Sequence, residues 1–388
     1  MTKLCMRVFL AISAVAVAVL LSACSATQEN GNGSNEGVLE NGVTLAPPTI
    51  TRTSVYASNE MELRGALVNA DSTPTRIVLT ADIEMESNFI IHSGADVALT
   101  SQGTNMFSLI TTRDIDVITV SGNASLTIEG IGVTRVYGTR GSGVRVNRDG
   151  ALMMTGGVIT GNTGNSGGGR YSHDSGGGVF VYRSTFTMYG GEISNNEVYR
   201  NGGGVYVQRG TFTMYGGTIS SNSANHGSFA RAGGGGINGG GGGVALQWYG
   251  SFTMYGGEIS NNYARGLGGG VLVGASPDSN RYISTFTMRG GIISNNTVDR
   301  NPGWWPFTQN PGGGIYLSSS SCIFVMEGGW IYDNFAESFE SRGGHGWGVP
   351  LYAYVLDSWI DDIAVEDGVF NNNIFNPADG AIGSPPPQ

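Results

Sequence analysis

The sequence predicts an all-β chain folded as a single-stranded right-handed parallel β-helix, a solenoid, with a short N-terminal capping helix. Three observations predict it. One phrase returns six times: an apolar run ending in Met154, Met188, Met214, Met254, Met288 or Met326, then two glycines, an isoleucine and an asparagine. Repetition at this period is the signature of a solenoid. Within each copy, pieces such as Val179-Phe180-Val181, Phe186-Thr187-Met188 and Glu192-Ile193-Ser194 alternate or are β-branched. Gly or Asn bounds each piece, which reads as three short strands punctuated by turns. No piece is long enough for a helix, and no apolar spacing of about 3.6 residues runs through the region. Three short strands per turn of chain, stacked copy on copy, describe a parallel β-helix.

From the N-terminus, residues 1–23 place Lys3 and Arg7 ahead of an apolar run from Val8 to Leu21, too short to span a bilayer as a mature helix. The run closes in Leu21-Ser22-Ala23-Cys24, which resembles a bacterial lipoprotein signal peptide. That resemblance implies cleavage before Cys24 and lipidation of its sulfur. It implies a membrane anchor too, since several acyl chains at about 0.8 kcal/mol per buried CH₂ hold where one does not. The expected location is the bacterial cell envelope, lipid-anchored at the outer membrane or cell surface. Residues 24–52, rich in Ser, Asn, Gly and Glu and closing in Ala46-Pro47-Pro48, read as a disordered tether.

The β-helix domain takes residues 53–375. Its capping helix spans about 59–70, where Asn59 followed by Glu62 reads as a capping box. Met61, Leu63, Ala66, Leu67 and Ala70 form an apolar stripe that would cover the first open edge of the solenoid. Arg76 to Leu79, Val97 to Leu99, Val117 to Val120 and Ser125 to Ile128 read as degenerate first coils. In the clear repeats, alternation puts Phe186 and Met188 inside and Thr185 and Thr187 outside. Stacking brings Phe212, Phe252 and Phe286 to the same place in successive coils, about 4.8 Å apart. Glycines serve the corners, and asparagines tolerate left-handed backbone and can bond in a ladder. Residues 376–388, ending in Pro385-Pro386-Pro387-Gln388, read as a disordered tail.

Lys3 is the only lysine, so a processed chain has none. That excludes Schiff-base, P-loop and Ser-Lys chemistry. Removing Lys3 and Arg7 from the 20 basic residues leaves 18 against 30 acidic ones, a net charge of −12, so no nucleic-acid partner is expected. With Cys5 lost and Cys24 lipidated, only Cys322 is free. It reads as a small core hydrophobe, without a disulfide framework or thiolate metal site. The glycine runs recur at one phase of the repeat, and none leads from a strand into a helix, so they are turns and not phosphate cradles. His92, His173, His226 and His345 share no metal-ligand spacing. Enzymes on such a scaffold need clustered carboxylates, whereas Glu192, Glu258 and Glu327 stand singly. No catalysis, cofactor or metal is expected. A carbohydrate-active β-helix enzyme, lyase or hydrolase, and a purely structural envelope protein are the alternatives.

Two features point to recognition. Tyr189, Tyr215 and Tyr255, with Phe180, Tyr206 and Tyr316 on another strand, alternate outward toward solvent. They read as stacked neighbours that stabilise adjoining strands, with a platform for sugar rings as the other reading. Long insertions at 163–175, 223–240, 297–311 and 335–345 fall at one corner and would align along one edge. They carry Arg170, Tyr171, His173, Phe229, Arg231, Trp304 and Trp305, a candidate binding edge for a glycan or protein ligand.

Gly-Gly-Gly-Val paired with Ile-Ser-Asn-Asn (Ile193 to Asn196, Ile259 to Asn262, Ile293 to Asn296) resembles the repeat pair of chlamydial polymorphic outer-membrane adhesins. More broadly, residues 54–375 resemble bacterial surface β-helix proteins of the pectin-lyase-like superfamily. The resemblance implies an adhesin-like role for a displayed rod. Ile stands where the adhesin repeat has Phe, and the autotransporter barrel of those adhesins has no counterpart here.

Overall fold

The computed structural model describes residues 46–70, 73–92, 94–164, 175–225, 239–274, 282–299, 312–318, 322–336, 351–353, 363–365 and 369–371. All belong to one unit of the chain, Glu36–Gln388. The expected signal peptide, Cys24 and the tail at 376–388 lie outside the described residues. The described chain is a parallel β-helix. One coil runs through strands Val179–Tyr182, Thr185–Met188, Glu192–Ser194 and Glu197–Val198. The next repeats it with Val205–Gln208, Thr211–Met214, Thr218–Ser220 and Ser223–Ala224. Each strand pairs in parallel with its equivalent, so four ladders run along the solenoid. Three of them match the strands expected from the sequence. The fourth is only two residues deep, too short to carry an alternation signal, and falls in what reads as an insertion corner.

The second ladder, that of Thr185–Met188, has eleven rungs among the described residues, from Thr53–Ala57 to Ile363–Val365. Its first rung lies one strand ahead of the degenerate coils read from the sequence. Past the sixth copy, Leu351–Ala353, Ile363–Val365 and Val369–Asn371 extend the first, second and third ladders. The repetition therefore continues beyond the last phrase legible in the sequence.

Columns of like side chains fill the interior. Phe186, Phe212, Phe252, Phe286 and Phe324 stack with ring centroids 4.6, 4.6, 4.7 and 5.1 Å apart. Met188, Met214 and Met254 stand in register and are fully buried. The methionines explain the glycine pairs. A Cβ on Gly217 would sit 2.6 Å from Cε of Met188, and one on Gly257 would sit 2.5 Å from Cε of Met214. The second glycine of each pair therefore makes room for the methionine of the preceding coil. It also holds a left-handed backbone, φ 89° at Gly217 and 88° at Gly257. Cys322 is buried in the same core, its thiol 3.1 Å from the Val273 carbonyl.

The two asparagines of each repeat divide the work. The first takes the left-handed corner, with φ 54° at Asn195, 56° at Asn261 and 55° at Asn295. The second builds a buried column of Asn162, Asn196, Asn222, Asn262, Asn296 and Asn334. The side-chain oxygen of Asn222 accepts the backbone N–H and the side-chain amide of Asn196, both at 3.0 Å. Its own amide donates to the Ile193 carbonyl at 2.8 Å and to Asn262 at 3.0 Å. All four bonding positions are used, as burial of an amide requires. The column starts at Asn162; one coil earlier the buried Arg135 donates to the carbonyls of Ile115 and Ser142.

The capping helix is Glu60–Gly65, tightening into a 3₁₀ turn at Ala66–Asn69. Asn59 accepts the Glu62 N–H at 3.0 Å, while the Glu62 carboxylate reaches one residue further back than expected, to the N–H and hydroxyl of Ser58 at 2.8 and 2.9 Å. Leu63, Ala66 and Ala70 enter the core, with Leu67 packed against it. Met61 does not; it is 82 % exposed, because two positions before Leu63 is more than half a turn away.

The first ladder also differs from expectation. Phe180 and Tyr206 do alternate away from the coil interior, but they are 2 % and 3 % exposed. With Ala245, Leu267 and Leu272 they form a separate apolar cluster, against which Tyr316 packs. Alternation tells which side of a strand a residue leaves from, not whether further chain lies over that side. Burial pushes the Tyr206 hydroxyl well above its ordinary pKa, and it donates to Gln247 at 2.8 Å.

Candidate functional site

Arg170, Tyr171, His173, Phe229, Arg231, Trp304 and Trp305 all lie outside the described residues, so the predicted edge is not brought together by anything described. Two other described surfaces have the make-up of a recognition site. The first is the outward face of the second ladder. Thr185, Thr211, Ser251 and Thr285 form one row in register, and Thr187, Thr213, Thr253 and Thr287 form the next. Beside them Tyr189, Tyr215 and Tyr255 stack with centroids 4.9 Å apart and planes 15° apart. The three rings cover one another's faces, so the column turns ring edges and hydroxyls outward. This is the stacked-neighbour arrangement, not a platform for sugar rings. Partial burial raises the Tyr189 and Tyr215 pKa, which keeps both hydroxyls as donors.

At the N-terminal end of this face, the segment 46–52 passes alongside it. Pro48, Ile50 and Arg52 join Thr127, Met153, Thr187 and Tyr189 around a groove of about 210 Å³. Arg52, its side chain only 3 % exposed, bonds Asp96 at 2.8 Å and the Thr127 hydroxyl at 3.1 Å.

The second surface is the corner between the first and second ladders, bordering the threonine rows. From Gly94 to Tyr249, successive described coils turn through left-handed backbone here. At Gly122 and Asn123 the residues suit it, with φ 67° and 62°. In the following coils the same corner holds Arg148 (φ 49°) and Asp149 (66°), Arg183 (50°), Arg209 (55°), and Trp248 (52°) with Tyr249 (68°). The corner after the third ladder uses Gly161, Asn195, Ser221, Asn261, Asn295 and Asp333, residues that mostly tolerate the conformation. Large side chains in it cost about 1–2 kcal/mol each, so the first corner carries strain that the second largely avoids.

Charge sharpens the contrast. Arg52, Arg64, Arg76, Arg113, Arg145 and Arg289 each pair with a carboxylate. Arg148, Arg183 and Arg209 make no ion pair among the described residues, although they occupy equivalent positions in successive coils of an acidic chain. Aromatic rings lie beside two of them instead. Arg183 lies 5.3 Å from the Tyr182 ring centroid, and Arg209 lies 5.2 Å from that of Trp248 and 5.9 Å from that of Tyr282. Tyr282 stacks on Trp248 at 5.8 Å and meets Tyr249 edge-on at 5.2 Å. Nε of Arg209 is buried without a partner. The sequence holds a signal for this cluster: Arg183-Ser184, Arg209-Gly210 and Trp248-Tyr249-Gly250 recur at one phase, just before the Thr-Phe-Thr or Ser-Phe-Thr run. It goes unread because corners are expected to be Gly and Asn.

Among the described residues, no three His, Cys, Asp or Glu side chains gather where they could hold a metal ion. Glu327 pairs with Arg289 at 3.0 Å. No helix of the described residues is long and apolar enough to cross a membrane. No protein-family model matches the chain, and no curated protein and no solved structure matches it.

Proposed function

We propose that the protein is a lipid-anchored component of the bacterial cell envelope that displays its β-helix as a binding surface, an adhesin-like role toward a glycan or protein ligand. The observation that supports the reading best is the outward face of the second ladder, where rows of Ser and Thr hydroxyls stand in register over four coils beside the tyrosine column. A repetitive hydroxyl surface next to a cationic aromatic corner suits an extended ligand that repeats along the solenoid axis. Fold alone says nothing of activity, so the reading rests on these surfaces. Anchoring rests on the Leu21-Ser22-Ala23-Cys24 signal.

The test has two arms. Full-length protein is screened against a panel of glycans and matrix proteins, and each hit is repeated with Thr187→Ala/Thr213→Ala/Thr253→Ala. The expected result is a ligand whose affinity drops in the triple variant with folding intact; no ligand, or one indifferent to the variant, contradicts the role. For the anchor, Cys24→Ala abolishes fatty-acid labelling and moves the protein out of the membrane fraction. Unchanged labelling contradicts the anchor.

A further inference from the structure

We infer that the corner holding Arg148, Arg183, Arg209, Trp248, Tyr249 and Tyr282 is a binding site for an anionic polysaccharide, one that carries sulfate or carboxylate groups along its length. The inference rests on the binding-surface reading above and names the ligand class. Three independent features of the corner converge on it.

The first is uncompensated charge. Arg148, Arg183 and Arg209 stand at equivalent positions in three successive coils, where spacing along a parallel β-structure is about 4.8 Å. Like charges in neighbouring register positions repel, and no described carboxylate pairs with any of the three. The one acidic residue of the corner, Asp149 beside Arg148, forms no ion pair with any of the three, and the corners of Arg183 and Arg209 hold no acidic residue. An external anion would relieve the repulsion and receive forked N–H donors from the guanidinium groups.

The second is backbone strain. Arg183 and Arg209 hold left-handed φ values of 50° and 55° at positions where Gly or Asn would suit the turn. Large side chains held left-handed at this corner in successive coils mark a site where side-chain identity matters more than local comfort.

The third is the aromatic flank. Tyr249 is 52 % exposed next to Trp248 and Tyr282. Rings beside cations, with the hydroxyls of Thr185 and Thr211 close by in sequence, supply apolar ring faces and polar donors together. A polysaccharide needs both, whereas a small inorganic anion uses only the arginines. Because the charges repeat from coil to coil, the complementary ligand repeats too.

The decisive variant is Arg183→Asn/Arg209→Asn, in which the new residues favour the left-handed backbone. Binding of full-length protein to immobilised dextran sulfate, polygalacturonate and neutral dextran is measured alongside its melting temperature. Wild type binds at least one charged polymer, more weakly as salt rises, and does not bind dextran. Which charged polymer binds tells sulfate from carboxylate. The double variant loses about tenfold or more in affinity per arginine while its melting temperature holds or rises. Arg113→Gln, which removes an arginine paired to Glu86, leaves binding unchanged.

Equal binding by wild type and the double variant overturns the inference, as does wild-type binding to neither charged polymer or only to anionic phospholipid vesicles. If the charged polymers fail while a neutral glycan or a protein binds through the threonine rows, the ligand class is wrong and the binding-surface reading survives. If nothing binds at all, both fall.

Discussion

Gly217 shows what one residue does in this architecture. Its φ of 89° is a conformation that a β-carbon penalises, and a methyl there would meet Cε of Met188 at 2.6 Å and the Gly191 carbonyl at 2.8 Å. Gly217→Ala is therefore expected to cost about 2–4 kcal/mol in denaturant unfolding. Adding Met188→Ala removes one of the two clashes, so the double variant should depart from additivity by about 1 kcal/mol. A Gly217→Ala protein within error of wild type would refute this role. Asn222 is the polar counterpart. Asn222→Ala strands the partners of four buried hydrogen bonds, a loss of about 3 kcal/mol or more. Asn222→Asp keeps two acceptor bonds but buries a charge facing the Asn262 oxygen and the Ile193 carbonyl, so it should be worse than alanine. If aspartate proves the milder change, the column is not closed as described. The sequence shows that Gly and Asn recur, but not which glycine faces a methionine or which asparagine turns and which bonds. Those roles depend on neighbours one coil away, 26 to 40 residues distant along the chain.

The capping helix and the ladders obey different local rules. The helix was readable because Asn59 and Glu62 act within one turn. The fourth ladder was not, since Glu197–Val198 and Ser223–Ala224 are too short to alternate. The burial of Phe180 and Tyr206 was also invisible, because it depends on Leu267, which reaches that face from another coil. The helix yields a pH prediction. The Ser58 N–H and hydroxyl hold the Glu62 carboxylate below its usual pKa. For Glu60, burial pushes upward, but the Glu86 N–H and Arg64 outweigh it and the net shift is also down. Groups with a lowered folded pKa stabilise fully above the unfolded value near 4.5, and that contribution is lost as pH falls through the folded values. Amide exchange at 60–66, compared with exchange in the Phe186 and Phe212 strands, should therefore lose protection first as the solution is acidified. Equal loss in both regions would show that the cap does not depend on these carboxylates.

At the scale of the whole domain, coil-on-coil register decides every surface discussed. It aligns the threonine rows, stacks the tyrosines and brings three arginines to one corner; a slip of one residue would scatter all of them. The periodic phrase in the sequence was enough to predict the register, because side chains repeating every coil have one arrangement that buries them together. The arginine corner was not predicted, since its meaning lies in the absence of acidic partners and in backbone angles, neither of which is written in a motif. Disulfide trapping tests the register directly. Thr187 and Thr213 are partners on adjacent rungs, whereas Thr187 and Thr253 are two rungs apart. A Thr187→Cys/Thr213→Cys protein should cross-link on mild oxidation, because neighbouring parallel strands place Cα atoms within disulfide reach, and Thr187→Cys/Thr253→Cys, at about twice that separation, should not. Efficient cross-linking of the 187/253 pair, with none for 187/213, would contradict the stacked-coil account.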